Sequence, residues 1–133
     1  MPEQDTIKRA MDKKRRGEKP STQAGEFVRE EVHHIREGKH GARSTKQAIA
    51  IGLSKARRAG INLPPPKKGK TTERTRAQAK RDYRKGPAHA KRKTSPQRRE
   101  ATLHVLRKEG RGAASRPALA QQAQQTARRR RAA

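Results

Sequence analysis

The chain has 133 residues, of which 28% are hydrophobic, 2% aromatic and 37% charged. Such a composition excludes a conventional globular enzyme, because too few apolar side chains are available to build a large core. Lys and Arg number 37 against 12 Asp and Glu, so the formal net charge is +25. A compact chain with this charge repels itself, and we therefore expect a polyanionic partner, nucleic acid.

The excess charge is concentrated in the second half of the chain. Residues 1–20 carry a net charge of +3 and residues 21–63 carry +4, whereas residues 64–133 hold 22 basic and 4 acidic residues, a net +18. Nine of the 17 large apolar residues lie between positions 21 and 63. The pattern predicts a flexible N-terminal segment (1–20), a folded head (21–63), a Pro/Lys-rich linker (64–70) and a basic arm (71–133).

Two helices are predicted in the head. Ser21 is a candidate N-cap, and apolar residues follow at helical spacing until Gly38 interrupts the pattern. Ser44 and Gln47 have the spacing of a capping box, and Gly60 is a candidate C-cap for the second helix. The short connection between the helices makes them an antiparallel helical hairpin.

Gly52 lies in the middle of the second predicted helix. Gly costs about 1 kcal/mol relative to Ala at such a position. Its presence indicates the close approach of another helix.

Residues 64–66 are all proline and end the head, because no helix continues through them. In the arm we predict short helices over about 71–85, 96–109 and 115–131, with Ser95 as an N-cap and Ser115 as a second one. Few apolar residues are available there to stabilise them. The predicted fold class is therefore mainly α, with an arm that is largely disordered or folds on a partner.

Basic residues recur along the arm with gaps of only a few positions, a spacing suited to a phosphate backbone. The predicted nucleic-acid contacts are Lys67, Lys68, Lys70, Arg74, Arg76, Lys80, Arg81, Arg84, Lys85, Lys91, Arg92, Lys93, Arg98, Arg99, Arg107, Lys108, Arg128, Arg129, Arg130 and Arg131, together with Arg57 and Arg58 at the end of the head.

Aromatic residues decide which nucleic acid is favoured. Single-strand binders and many RNA-binding modules stack bases on exposed aromatic rings. Here Phe27 lies on the predicted core face, which leaves Tyr83 as the single free aromatic residue. This favours duplex DNA bound through its phosphates, with structured RNA as the alternative.

The sequence gives no support for catalysis, cofactor binding or metal binding. Nucleotide-binding loops, nucleophile elbows and metalloprotease motifs are absent. The chain contains no Cys and five His, and His33, His34 and His40 follow no recognised metal-ligand spacing. We expect the histidines to face solvent. No apolar run approaches the roughly 20 residues of a membrane span, so we expect a cytoplasmic protein without membrane contact.

Three segments of the head carry a family resemblance: GEF at 25–27, GK at 38–39, and STKQAIAIGLS at 44–54 followed by AR. They resemble a family of small basic bacterial proteins that is classed as a domain of unknown function, over about residues 25–63. The resemblance implies a bacterial source and a head that recurs as a unit, and it implies no site residues. By composition alone, the arm also resembles the basic tails of linker-histone-like proteins.

The leading hypothesis is a nucleoid-associated protein that binds DNA with little sequence preference by neutralising phosphates. One alternative is an RNA- or ribosome-associated protein of the same physical type. Another is a protein-interaction module in which the hairpin binds a partner or a second copy of itself through Ile49 and Leu53, and the arm is ancillary.

Overall fold

The computed structural model describes residues 3–88 and 95–132, and its regular structure there is entirely helical. The helices are α1 (Gln4–Arg15), α2 (Pro20–Arg36), α3 (Thr45–Arg58), α4 (Glu73–Ala88), α5 (Pro96–Arg107) and α6 (Arg116–Ala132), with a 3-10 turn at Gly112–Ala114. The prediction of a mainly α fold is confirmed. Among the described helices, none combines the length and apolar character needed to cross a bilayer.

The helix starts follow local sequence signals with two differences. Helix α2 begins at Pro20, one residue before the predicted cap, because proline is well suited to the first helical position. Ser21 therefore lies inside the first turn. At the start of α3, the Ser44 hydroxyl accepts the Gln47 N–H at 3.1 Å, but the Gln47 side chain accepts the Arg43 N–H, so the capping box forms only in part.

The predicted caps of the last two helices are present. Ser95 accepts the N–H of Arg98 at the start of α5, with Pro96 at the first helical position. Ser115 accepts the N–H of Ala118 at the start of α6.

Helices α1, α2 and α3 are each followed, two residues after their last residue, by a glycine with positive φ. These are Gly17 at 76°, Gly38 at 78° and Gly60 at 97°. In each case the residue after the glycine donates its N–H to the carbonyl five positions back, as Ile61 does to Ala56. This is the Schellman arrangement, which satisfies carbonyls that the helix end leaves unpaired.

The chain divides into two compact units that cut across the predicted head and arm. Unit 1 comprises Met1–Glu30 and Ile51–Lys93, and unit 2 comprises Glu31–Ala50 and Thr94–Ala133. Helices α2 and α3 each contribute residues to both units. Each half of residues 21–63 is thus grouped with part of the chain outside that segment.

Unit 1 is built around Phe27, which is fully buried as its position in the sequence predicts. Its core cluster also contains Ala10, Ala24, Ala56 and Ile61. Most of these side chains are alanine, so the helix backbones must lie close together to fill the space.

Helix α1 occupies the segment that was predicted to be flexible. Thr6 and Ala10 are fully buried, and Ile7 packs against the core of unit 1. Two ion pairs of 2.9 Å join α1 to α2, from Arg9 and Lys13 to the carboxylate of Glu26. The buried side of α1 packs with the Phe27 cluster, whose other residues lie elsewhere in the sequence.

Gly52 marks a close contact between α3 and α2, as predicted. A Cβ atom at Gly52 would lie 2.6 Å from the Cα of Val28. Real Cβ atoms do not come this near to backbone, so only glycine fits without separating the two helices.

Unit 2 has a smaller core. Ile35 is fully buried and clusters with Ala42, Ala48, Ala113 and Ala114. These residues come from the end of α2, the connection to α3, the start of α3 and the 3-10 turn. The arm thus supplies part of a core, contrary to the expectation that it is largely disordered or folds only on a partner.

We predict that Gly52→Ala in the full-length chain lowers the free energy of unfolding by about 1–3 kcal/mol, the usual cost of overpacking. The clash outweighs the gain of about 1 kcal/mol that Ala brings to a helix interior. Gly25→Ala in α2 is the matched control, since its Cβ would meet nothing within 4 Å and the variant should be stabilised. Urea denaturation measures both, and equal effects of the two substitutions would contradict the close contact.

Glu26 makes the stability of unit 1 dependent on pH. Burial by itself raises the pKa of Glu26, but the hydrogen bonds and charges of Lys13 and Arg9 outweigh it, so the pKa lies below its ordinary value of 4.5. The ion pairs therefore contribute fully above about pH 4.5, and the contribution is lost as pH falls through the lowered pKa.

We predict that Glu26→Gln lowers the free energy of unfolding by about 1–3 kcal/mol at neutral pH. The difference from the unsubstituted chain should shrink as the pH falls below 4.5, as measured by denaturation at a series of pH values. The exposed Glu37, replaced by Gln, serves as the control and should change stability by less than about 0.5 kcal/mol. A Glu26→Gln difference that stays constant with pH would show that the ion pairs contribute nothing.

Candidate nucleic-acid interface

One face of α4 anchors this helix within unit 1. Ala79 and Gly86 are buried, and Asp82 is only 2% exposed. The Asp82 carboxylate accepts hydrogen bonds from the Ser54 hydroxyl at 2.6 Å and from the Gln78 amide at 3.2 Å. A Cβ at Gly86 would lie 2.2 Å from the carbonyl oxygen of Arg57, so α4 passes directly against the end of α3.

The opposite face of α4 carries predicted nucleic-acid contacts. Arg74, Arg81, Arg84 and Lys85 are exposed, and at 100° per residue they share one arc of about 100°. Arg81 and Arg84 point away from Ala79 and Asp82, whereas Arg74 and Lys85 lie at the edge of the arc nearer Asp82. Arg81 donates to the side chain of Gln78, which is an uncharged partner. The buried face therefore fixes the direction in which these four cations point.

Arg57, a predicted nucleic-acid contact, has partners inside unit 1. This residue is buried, and its guanidinium donates to the carbonyl oxygens of Leu63 at 3.1 Å and Pro64 at 3.3 Å. Burial lowers the pKa of Arg57, and the charge of Asp82 partly opposes this shift. A guanidinium held by two carbonyls cannot reach a phosphate without leaving them, so Arg57 holds the segment after α3 in place.

Arg58 and Arg76 are partly used within unit 1. The Arg58 guanidinium lies 3.6 Å from Asp82 and keeps 45% of its side chain exposed. Arg76 donates to the carbonyl of Pro66 at 3.1 Å and lies 3.9 Å from Glu73. Both cations have internal partners that a phosphate would have to share.

The linker supplies three further predicted contacts, Lys67, Lys68 and Lys70, all of which are exposed. Near them, an open cavity of about 380 Å³ is lined by Pro65, Lys80, Tyr83 and Arg84. The Tyr83 ring is half-buried and its hydroxyl donates to Asn62. Tyr83 is therefore less free than the sequence predicted, and Lys80 and Arg84 provide the charge of this cavity.

Unit 2 carries its own set of exposed cations. Arg98, Arg99 and Lys108 lie in or next to α5 and are exposed, while Arg107 pairs with Glu100 at 3.7 Å. Arg128, Arg129, Arg130 and Arg131 are all exposed in the last turns of α6.

Four consecutive arginines on a helix point in four directions, at intervals of about 100°. Roughly two of the Arg128–Arg131 group can face one duplex at a time. Lys91, Arg92 and Lys93, which were also predicted contacts, lie outside the described residues.

The sequence prediction did not assign the arginines of a second cavity, in unit 2. This cavity of about 440 Å³ is lined by Arg36, Arg111, Ala114, Ser115 and Arg116. Arg36 donates to the carbonyl of Ala114 at 3.1 Å across 78 positions of sequence. Such a separation leaves no local pattern from which the cavity could be predicted.

Two histidines differ from the prediction that all of them face solvent. His33 and His104 are exposed, but His40 is buried and His34 is partly buried, and His89 lies outside the described residues. His40 lies 3.1 Å from the buried Glu31.

We predict that Arg57→Gln lowers the free energy of unfolding by about 1–3 kcal/mol, because a buried side chain loses its charged hydrogen bonds to two carbonyls. Arg81→Gln removes the same charge from the surface and should change stability by less than about 0.5 kcal/mol. Chemical denaturation of the full-length variants checks both values. Equal destabilisation by the two substitutions would contradict the assignment of Arg57 to the interior.

Comparison with known proteins places the chain in a family without assigning a function. Neither the curated proteins nor the solved structures contain a match to it. A family model described as a family of unknown function, DUF6496, matches residues 2–68, which include α1, α2, α3 and the proline segment. The match is longer than the resemblance noted in the sequence, and it covers half of the chain: the protein belongs to the DUF6496 family.

Proposed function

We propose that the protein binds duplex DNA through its phosphates, with little sequence preference, and is associated with the bacterial nucleoid in the cytoplasm. The observation that carries the proposal is the outward face of α4, where Arg74, Arg81, Arg84 and Lys85 are exposed on a helix whose other face is anchored. The exposed cations of the linker, of α5 and of α6 are further candidate phosphate contacts.

The length of the α4 face suits a phosphate backbone. Arg74 and Lys85 are separated by 11 positions, which at 1.5 Å per residue is about 16 Å along the helix. Phosphates of one strand recur about every 3.4 Å along the duplex axis, so a face of this length matches the axial rise of about five of them. An anchored helix also positions these cations at a smaller entropic cost than a free chain would.

The positions of the aromatic side chains favour a duplex over single strands. Phe27 is fully buried, and Tyr83 is half-buried with its hydroxyl bonded to Asn62. The sequence has one Phe, one Tyr and no Trp, so few aromatic rings are available for bases to stack on. Phosphate contacts, which carry no sequence information by themselves, are left as the main source of affinity.

The test compares the full-length chain with a variant in which Arg74, Arg81, Arg84 and Lys85 are replaced by Gln. Affinity for a duplex of mixed sequence is measured by fluorescence anisotropy over a series of salt concentrations. Each phosphate contact contributes about 0.9 to the slope of log K against log salt. We predict that the variant loses up to about 3.6 of that slope and binds more weakly to all sequences alike.

The control removes the same charge from α1, by replacing Lys8, Lys14, Arg15 and Arg16 with Gln. All four are exposed and lie in or next to α1, for which no nucleic-acid contact is predicted. This variant should lose less affinity and less of the slope than the α4 variant. Equal losses would mean that net charge alone governs binding and would remove the α4 interface from the proposal.

A structured RNA of equal length is measured at the same salt concentrations. Preference for the RNA by tenfold or more would replace DNA with RNA as the partner. When the protein is crosslinked in cells, we expect it to be recovered with DNA rather than with RNA.

A further inference from the structure

Three side chains of unit 2 that the proposed DNA contacts do not use form a cluster of nitrogen and oxygen donors. Glu31 and His34 lie one turn apart on the same face of α2, and His40 comes from the connection to α3. Their side chains are 1%, 14% and 5% exposed. One donor atom from each residue lies within 4.8 Å of the other two.

The orientation of the His40 ring is fixed by a hydrogen bond. Its Nδ1 lies 2.9 Å from the carbonyl oxygen of Gly41, which can only accept, so Nδ1 carries the proton. The other ring nitrogen, Nε2, lies 3.1 Å from a carboxylate oxygen of Glu31. Metal-binding histidines are typically held in this way, with the second ring nitrogen donating to a backbone carbonyl.

The backbone that carries His40 is itself held in place within unit 2. The Gly41 N–H donates to the carbonyl of Leu106 at 2.8 Å, and the Ala42 N–H donates to that of Gly110 at 3.0 Å. A Cβ at Gly41 would lie 2.0 Å from the carbonyl oxygen of Glu109, so the connection passes directly against the end of α5. The donors of the cluster are thus preorganised rather than carried on a free loop.

His34 brings a third donor to the same carboxylate. Its Nδ1 lies 3.9 Å from the other oxygen of Glu31, and the two imidazole rings lie nearly perpendicular with centroids 5.9 Å apart. Three converging donors, from two imidazoles and a carboxylate, point to a metal ion.

We infer that Glu31, His34 and His40 form a binding site for a divalent transition-metal ion of the zinc class. Two imidazoles and one carboxylate are ligands that Zn²⁺ accepts, with a fourth position left to water. Bonds of about 2.1 Å in a tetrahedral site place donor atoms about 3.4 Å apart. In the structure one donor atom from each residue lies within 4.8 Å of the other two, so the side chains must draw closer together to complete the site.

The metal would act as a structural clamp. It joins α2 to the connection that leads into α3 and that contacts the end of α5. The core of unit 2 consists of Ile35 and four alanines, with Val32 packed against them, and a small core of this kind gains stability from a bound metal. This inference is independent of DNA binding.

The experiment uses untagged full-length protein, freed of metal with a chelator and titrated with ZnCl₂ by calorimetry in a buffer without phosphate. We expect one equivalent of Zn²⁺ to bind and the melting temperature to rise. Co²⁺ in the same site should give the visible absorption of a tetrahedral complex. Since the chain carries a net charge of +25, weak binding of cations over its surface is disfavoured.

Three variants test the ligands: Glu31→Gln, His34→Ala and His40→Ala. Each should lower the Zn²⁺ affinity by at least about tenfold, the scale of effect that follows even from loss of a ligand's supporting hydrogen bond. His33→Ala and His104→Ala remove exposed histidines of the same unit and should leave the affinity unchanged.

Circular dichroism of the metal-free variants separates loss of a ligand from loss of the fold. If His40→Ala lowers helicity, His34→Ala decides, because the His34 side chain is the most exposed of the three. The site is overturned if the unsubstituted chain binds no Zn²⁺ at micromolar concentration, or if His34→Ala binds as tightly as the unsubstituted chain. In that case Glu31 and His40 are a buried ion pair.

Discussion

The fold depends on bringing helix backbones together where large side chains are scarce. Dispersion forces act only over short distances, so a core lined by alanine is stable only if the helices nearly touch. Gly52 allows this contact between α3 and α2, and Gly86 allows it between α4 and α3. Phe27 then fills the space that remains in unit 1. The cationic face of α4 has a fixed direction because Gly86 seats the helix against Arg57.

Buried acids supplement this small core. Glu26 joins α1 to α2 through Arg9 and Lys13, and Asp82 joins α4 to α3 through Ser54 and Arg58. A buried carboxylate is stabilising only when its partners compensate for lost hydration, and each of these has two or more. Helices α1 and α4, which lie outside the predicted head, are thus attached within unit 1 by charged or hydrogen-bonded contacts as much as by apolar ones.

The features that the sequence predicted are local ones. The periodicity of α2 and α3, the Ser95 and Ser115 caps, the Gly60 ending and the close contact at Gly52 all depend on residues within a few positions or on one residue type. The features it missed depend on distant partners. The burial of α1 requires Phe27, and the interior position of Arg57 requires the carbonyls of Leu63 and Pro64. His40 faces Glu31 because its own backbone is bonded to the end of α5. Composition and periodicity describe which residues are able to be buried, but they do not identify what covers them.

The buried acids also change how the net charge is to be understood. Of the 12 acidic residues, Glu26, Glu30, Glu31 and Asp82 are buried. Their negative charge is used inside the units, where low dielectric strengthens their interactions with neighbouring donors and cations. Cations on the outward face of α4 and in the last turns of α6 therefore meet fewer competing carboxylates than the composition alone implies. Since a phosphate must displace such competitors before it binds, the same burial that attaches α1 and α4 also leaves the surface better suited to a polyanion.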